Sequence, residues 1–387
     1  MKFWQRVLAV MQKEILHVLR DRVAMLIAFV APFFLTVLFG YIYIQGTVNG
    51  IPMAVFDQDQ TEISRTIIRS FKDSNKFKLI RTVNSYSELE RLMDTEHAYI
   101  GVVIPNDLQK KVKTGQAAEV GVMVNGANLV IYNMAATSAS QVIQTISAKV
   151  TMQVMEGAGI SQDKAYKAVT ALSFRQRTRY SPSASYLIFM LLGLICTVIQ
   201  QVTMLGVALS FSKEREYGNW RQLALTRLRW SEYVLGKLLV YFLIYLLDAV
   251  ITFALGFLWF KIPMRGDVLL LLWITVIFIV VLVVMGLMIS AFCKSVGQAI
   301  ELSMVIAMPS FLVSGYTFPL MGMPPLIQAI AKILPLTYYL EAVRSVAYLG
   351  NGMEAVAPKI GILLLFALLC LPVMLVVMKR KMELTKE

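Results

Sequence analysis

The sequence predicts a polytopic α-helical membrane protein of six transmembrane helices, with an extracytoplasmic α/β domain inserted between spans 1 and 2. Composition, run length and charge placement predict it together. Mean hydropathy is +0.65, 57% of residues are hydrophobic and 16% are charged, outside the soluble globular range. The apolar residues gather into runs long enough to cross a hydrocarbon core of about 30 Å. Much of the net charge of +13 sits where those runs end: residues 1–22 carry +3, 212–237 carry +3 and 379–387 carry +2. That is a positive-inside signature, not a nucleic-acid footprint. It places both termini in the cytoplasm, beneath a plasma or inner membrane.

Residues 1–22 read as an amphipathic helix. Lys2, Arg6, Lys13 and Arg20 share one face, and Trp4, Leu8, Met11, Ile15 and Leu19 share another. Such a helix lies in the cytoplasmic leaflet with its basic face toward water and anionic lipid head groups. Residues 23–44 are an uncleaved first span, kinked at Pro32. Residues 45–183 change character. Strands at Pro52–Asp57, Phe77–Val83, Tyr99–Ile104 and Glu119–Asn125 alternate with helices at Thr61–Asp73, Ser85–Asp94 and Asn106–Thr114. This alternation predicts a small α/β domain with a partly parallel sheet. Ser85-x-x-Glu88 is a capping pattern. A long helix over Asn128–Gly157 and a shorter one over Gln162–Leu172 lead back to the membrane.

Residues 184–378 hold the other spans, Ala184–Phe211, Val234–Leu258, Val268–Phe292, Val296–Tyr316 and Pro358–Met378, and 379–387 form a cytoplasmic tail. Two stretches interrupt them. Residues 212–237 are charge-rich and read as a short amphipathic helix on the cytoplasmic side, facing something soluble. Residues 317–350 hold two apolar pieces, Met323–Leu334 and Thr337–Leu349, each too short to span and separated by Pro335. They predict a re-entrant hairpin at the outer face. Broken backbone at membrane depth is tolerated only beside protein or a cavity. Phe318, Pro319, Pro324, Pro335, Tyr338, Glu341 and Arg344 are therefore candidates for lining a path. Glu341 and Arg344, three apart, read as an ion pair. Asp248 lies mid-span. It reads either as part of a polar path or proton-coupled step, or as a packing residue bonded to Ser, Thr or Tyr on a neighbouring helix.

Enzyme chemistry has almost nothing to stand on. His17 and His97 fall on opposite sides of the predicted membrane, and Cys196, Cys293 and Cys370 lie in or beside apolar runs. There is no G-x-x-x-x-G-K-[ST] loop, no G-x-S-x-G and no metal-ligand spacing. No catalytic, metal or cofactor site is expected in this chain.

Three stretches resemble the permease subunits of ABC-2 family ATP-binding-cassette exporters, in the branch with a large extracytoplasmic domain. Lys13–Tyr41 looks like that family's elbow helix and first span. SFSKEREYGNWRQLALTRLRWSEYVLGKLL (Ser210–Leu239) is similar to its R-E-x-x-G…LL-x-T-P…E-x-x-x-G-K signature. VSGYTFPLMGMPPLIQAIAKILPLTYYLEAVR (Val313–Arg344) resembles its S-G-x-x-F-P…M-P…P-L-T-Y…R segment. Ala54–Ser64, Val102–Leu108 and Val124–Asn128 also sit where such permeases carry similar strings.

The resemblance implies that residues 212–237 hold a coupling helix that docks on a separate ATPase subunit, which would bind the ATP and Mg. Arg215, Glu216 and Gly218 match the start of the signature, and Thr226, Glu232, Gly236 and Lys237 its end. Trp220, Leu223 and Leu228 are the expected buried anchors, with Arg215 and Arg221 orienting the docking. Arg227 and Trp230 depart from the pattern, standing where the family usually has proline. A second permease copy or paralogue would complete the path, and a periplasmic adaptor could meet the outside domain. The expected cargo is hydrophobic or amphiphilic, a drug or lipid. The alternative is a membrane-anchored receptor or scaffold whose outside domain binds an envelope partner without transport.

Overall fold

The computed structural model describes residues 3–44, 49–114, 116–127, 129–157, 161, 186–218 and 228–383. The chain divides into two compact units, one of Met1–Gly46 with Ser183–Glu387 and one of Thr47–Pro182. The first unit opens with α1 (Phe3–Arg20). Trp4, Leu8, Ile15 and Leu19 are exposed on one side of it, while a stripe of Val7, Val10, Glu14 and Val18 is buried in the unit. The basic face is thereby corrected: Arg6 and Lys13 flank the buried stripe and reach carboxylates inside the unit, not only water. Asp21 then caps α2 (Arg22–Tyr43), accepting from the Val23 and Ala24 amides at 2.9 and 3.1 Å. A π turn at Leu26–Val30 precedes Pro32. The extra residue relieves the clash between the proline ring and the carbonyl one turn back.

In the second unit, β1 (Ile51–Asp57), α3 (Glu62–Asp73), β2 (Phe77–Val83), α4 (Tyr86–Asp94), β3 (Ile100–Ile104), α5 (Leu108–Lys113), β4 (Gly121–Val124) and α6 (Leu129–Gly157) follow in order. The sheet runs β2-β1-β3-β4, with β1 parallel to both neighbours and β4 antiparallel. Side chains alternate across it. Met53 and Val55 pack with Ile67, Phe71 and Ala139 on one face; Ala54 and Phe56 pack with Leu89 and Met93 of α4 on the other. Thr61 and Ser85 cap α3 and α4 through the amides of Ser64 and Glu88. The expected helix at Gln162–Leu172 lies outside the described residues.

The first unit resumes with α7 (Tyr186–Glu216), α8 (Trp230–Trp259), α9 (Val268–Phe292), α10 (Val296–Val313), α11 (Pro325–Ile333), α12 (Pro335–Tyr348) and α13 (Met353–Glu383). Among the described residues six helices, α2, α7, α8, α9, α10 and α13, are long and apolar enough to cross a membrane. α11 and α12 meet at an 81° bend. The nine residues of α11 rise only about 14 Å, less than half of a hydrocarbon core. α9 is apolar all round and buried along most of its length, against α7 and α13. Small residues set the helix spacing. A Cβ on Gly286 would come within 2.7 Å of the Val207 Cβ, and one on Gly206 within 1.6 Å of the Tyr245 hydroxyl.

Residues 212–237 are corrected. Ser212–Glu216 continue α7, and Trp230–Lys237 already belong to α8. Among the described residues the charges there do not break the helices, because Lys213, Glu214, Glu232 and Lys237 find partners inside the unit. Residues 219–227 lie outside the described residues.

Candidate functional site

The chemistry-bearing side chains gather where α7 ends and α8 begins, with α1 laid against them. Glu14 is the centre, fully buried on the α1 stripe. Its Oε2 accepts from Lys237 Nζ at 3.0 Å and from the Tyr241 hydroxyl at 3.1 Å, and its Oε1 accepts from Lys13 Nζ at 3.2 Å. Glu214 of α7 pairs with Lys13, accepts from the Tyr233 hydroxyl, and lies 3.4 Å from Lys237 Nζ. Lys237, also fully buried, donates to the Ser210 carbonyl at 3.3 Å and sits over the rings of Tyr233 and Tyr241 at 5.3 and 5.9 Å. Two carboxylates thus meet two ammonium groups, and the cluster is neutral. A buried charge is tolerated on those terms.

Electrostatics follow from the same contacts. Burial pushes the Glu14 carboxyl up, but Lys237 and Lys13 outweigh it and hold the group at about 2. Burial likewise works against the Lys13 ammonium, and Glu214 and Glu14 more than offset it, so its pKa is raised. Asp21 meets Lys213 at 2.6 Å; burial opposes its charge, and the Lys213 hydrogen bond prevails and lowers its pKa.

Two further contacts fix the mouth of this end. Arg215 donates to the Cys293 carbonyl at 3.0 Å, and Glu216 accepts from the Val296 amide at 2.6 Å, capping the first turn of α10. Glu232 closes the start of α8, accepting from the Arg229 amide at 2.9 Å with Arg6 at 3.5 Å. Trp230 takes the first helical position of α8, a position where proline is favoured. The ends of α7 and α8 are therefore clamped to α1 and α10 on both sides of residues 219–227.

The expected docking residues separate into groups. Arg215 and Glu216 lie at the mouth, each partly or well exposed, and Gly218 ends α7 in the left-handed region at φ 74°. Trp220, Arg221, Leu223 and Thr226 lie outside the described residues. Leu228 packs against the apolar core of the unit, and Glu232 and Lys237 are buried. These three face inward and are corrected from docking surface to internal mount.

The expected path residues do not converge. Phe318, Pro319 and Pro324 are exposed, and Phe318 lies over Gly322. Pro335 is buried at the bend, which closes through Thr337 donating to the Ala331 carbonyl at 2.8 Å and Tyr338 to that of Lys332 at 3.0 Å. Glu341 and Arg344 do not pair: Glu341 meets Lys359 at 3.9 Å, and Arg344 lies over the Phe189 ring at 5.8 Å. The correction has a simple cause, since α13 and α7 offer nearer partners than the same helix does. Asp248 is buried on α8, apart from the bend and its partners.

The reading of residue types missed Glu14, Lys13, Glu214, Tyr233 and Tyr241 as one group. One signal was present: Glu14 occupies a buried position in the Val7–Val10–Glu14–Val18 stripe, where an unpaired carboxylate has no business.

Comparison with known proteins agrees along nearly the whole chain. The family model described as ABC-2 family transporter protein matches residues 23–376. The chain is 25% identical over 353 residues to the probable multidrug ABC transporter permease YbhR of Escherichia coli, covering 91% of this chain and 92% of that one. It is 25% identical over 367 residues to the probable multidrug ABC transporter permease YbhS of the same organism, 90% of each. It is 24% identical over 376 residues to the linearmycin resistance permease protein LnrN of Bacillus subtilis, 94% of this chain and 96% of the relative.

Proposed function

The chain belongs to the ABC-2 transporter family, and from that premise we propose that it is the membrane subunit of an exporter powered by a separate ATPase, which moves hydrophobic or amphiphilic compounds outward. The observation that carries this reading is the mount around residues 219–227. A loop that merely linked two spans would have no need of a buried, charge-balanced cluster at both of its roots. A loop that must transmit force would. In this reading ATP and Mg bind the partner, whose closure pushes on Trp220, Arg221 and Leu223. The stiff roots pass that push to α1, α7 and α8, and onward through α7 and α13 to the bend between α11 and α12.

The multidrug and linearmycin-resistance permeases among its relatives support a drug-like or lipid-like cargo. The large exposed apolar faces of α2, α10 and α13 support a lipid boundary and a second permease subunit. Residues 47–182 are then extracytoplasmic, where an adaptor could reach them.

The test is co-purification with, and stimulation of, the cognate ATPase. Trp220→Asp and Leu223→Asp should each abolish vanadate-sensitive stimulation while the permease still inserts and remains monodisperse. If both variants bind and stimulate as the natural chain does, residues 219–227 are not the docking element.

A further inference from the structure

Five buried side-chain oxygens among the described residues have no hydrogen-bond partner: Thr36 Oγ1, Gln200 Oε1, Thr203 Oγ1, Ser210 Oγ and Asp248 Oδ2. All lie on α2, α7 and α8, three helices that pack together. Buried polar atoms are rarely left so, and a buried carboxylate oxygen least of all. Asp248 is 3% exposed and makes no ion pair, and Thr203 is fully buried.

The register of α7 on α8 brings these two together. Lys237 meets Glu214, Tyr245 fills the space beside Gly206, and Ile195 fills the space beside Gly256. The same antiparallel register sets Asp248 opposite Thr203, each on the helix stripe that faces the other. Among the described residues no cation stands at that level. Lys237, eleven residues back on α8, is about 16 Å down the axis. On the other elements packed against α8, α9 carries no titratable group, and α2 none between Arg22 and Tyr41. α13 has only Cys370 between Lys359 and Lys379, and α7 only Tyr186 and Cys196 before Lys213. α1 reaches α8 with Arg6, Lys13 and Glu14, at the clamped end, and with His17 beside Tyr241 and Tyr245.

A run of hydroxyls leads from that end toward Asp248. Tyr241 donates to Glu14, and the Tyr241 and Tyr245 rings stack at 6.3 Å. A cavity of about 20 Å³ lies beside them, lined by His17, Gly206, Ser210, Lys213, Tyr241 and Tyr245 among others. That is the room one water occupies in a polar site. Tyr245 stands one turn before Asp248.

We propose that Asp248, with Thr203 opposite, is a proton-binding site in the core of the membrane unit, exchanging with the clamped end through Tyr245 and Tyr241. The occupant is a proton and not a metal cation, because a carboxylate without a neighbouring cation in an apolar interior is neutralised most simply by forming its own O–H bond. The proton comes from water and returns to it, so the step balances without a co-reactant. The inference rests on the chain spanning a membrane and needs neither the ATPase nor the cargo.

The experiment is infrared difference spectroscopy on the full chain in lipid nanodiscs, stepped in pH. A carbonyl stretch of a buried protonated carboxyl should titrate in the natural chain and be lost in Asp248→Asn, a near-isosteric change that leaves the packing intact. Repeating the titration with sodium against choline chloride should leave the midpoint in place. A band that persists in Asp248→Asn overturns the assignment. So does a band that never titrates, and so does a midpoint that sodium displaces, which would make the occupant a metal cation.

Discussion

Lys237 shows what a sequence-level charge count conceals. It matches the end of a family signature and looks like part of a docking surface, yet its ammonium is enclosed by Glu14, Glu214 and two tyrosine rings. Removing it leaves two buried carboxylates with only Lys13 to balance them. Lys237→Met is expected to cost about 3–5 kcal/mol, the usual result of breaking one side of a buried pair. Lys237→Met with Glu14→Gln restores neutrality and should recover most of that loss in thermal unfolding of the purified protein. Equal losses in the single and double variants would mean that charge balance is not what the cluster supplies. Its pH window follows from the shifts. The Glu14 carboxylate, held at about 2 against an ordinary 4.5, contributes in full above 4.5 and loses its contribution as pH falls toward 2. Lys13, raised above 10.5, contributes in full below that value and fades only as pH rises beyond it. The natural chain should therefore lose more stability than Glu14→Gln between pH 4.5 and 2.

At the scale of elements, what was legible was local. The strand at Phe77–Val83 and the span at Val268–Phe292 lie where the period of apolar residues puts them, and Ser85 caps α4 as its spacing to Glu88 suggests. What was not legible depended on partners far apart in sequence. Glu214 belongs to α7 because Lys13 and Tyr233 satisfy it, and no window around residue 214 contains Lys13. Arg344 turns to Phe189 for the same reason. The small-residue spacing Gly206-x-x-x-Ser210 fits a monomer core and a dimer seam alike, and the structure spends Gly206 on Tyr245. Gly206→Ala should therefore overpack the α7–α8 seam, lowering stability by about 1–3 kcal/mol. Tyr245→Phe in that background removes the atom that a new Cβ meets at 1.6 Å and leaves the ring carbon at 2.8 Å. It should rescue part of the loss and not all of it; no rescue would place the crowding elsewhere.

For the whole molecule, the decisive quantity is the number of crossings. Among the described residues six helices are long and apolar enough to span, and the α11–α12 pair would make a seventh if it were one broken span. Its arms turn through 81°, and α11 alone is too short to cross. On the proposed topology an even count returns the chain to the side where it began, so residues 1–22 and 379–387 would share a compartment, with residues 47–182 in the other. Single cysteines report this directly. Ser140→Cys, exposed on α6, should react with a membrane-impermeant maleimide added to intact cells, and Glu387→Cys only after permeabilisation. Cys196 and Cys293 are buried and should stay silent in both conditions. Labelling of the tail cysteine in intact cells would mean that α11 and α12 together complete a crossing. The bend would then be a break within a span, and the positive charges of the tail would lie on the side that the insertion rule disfavours.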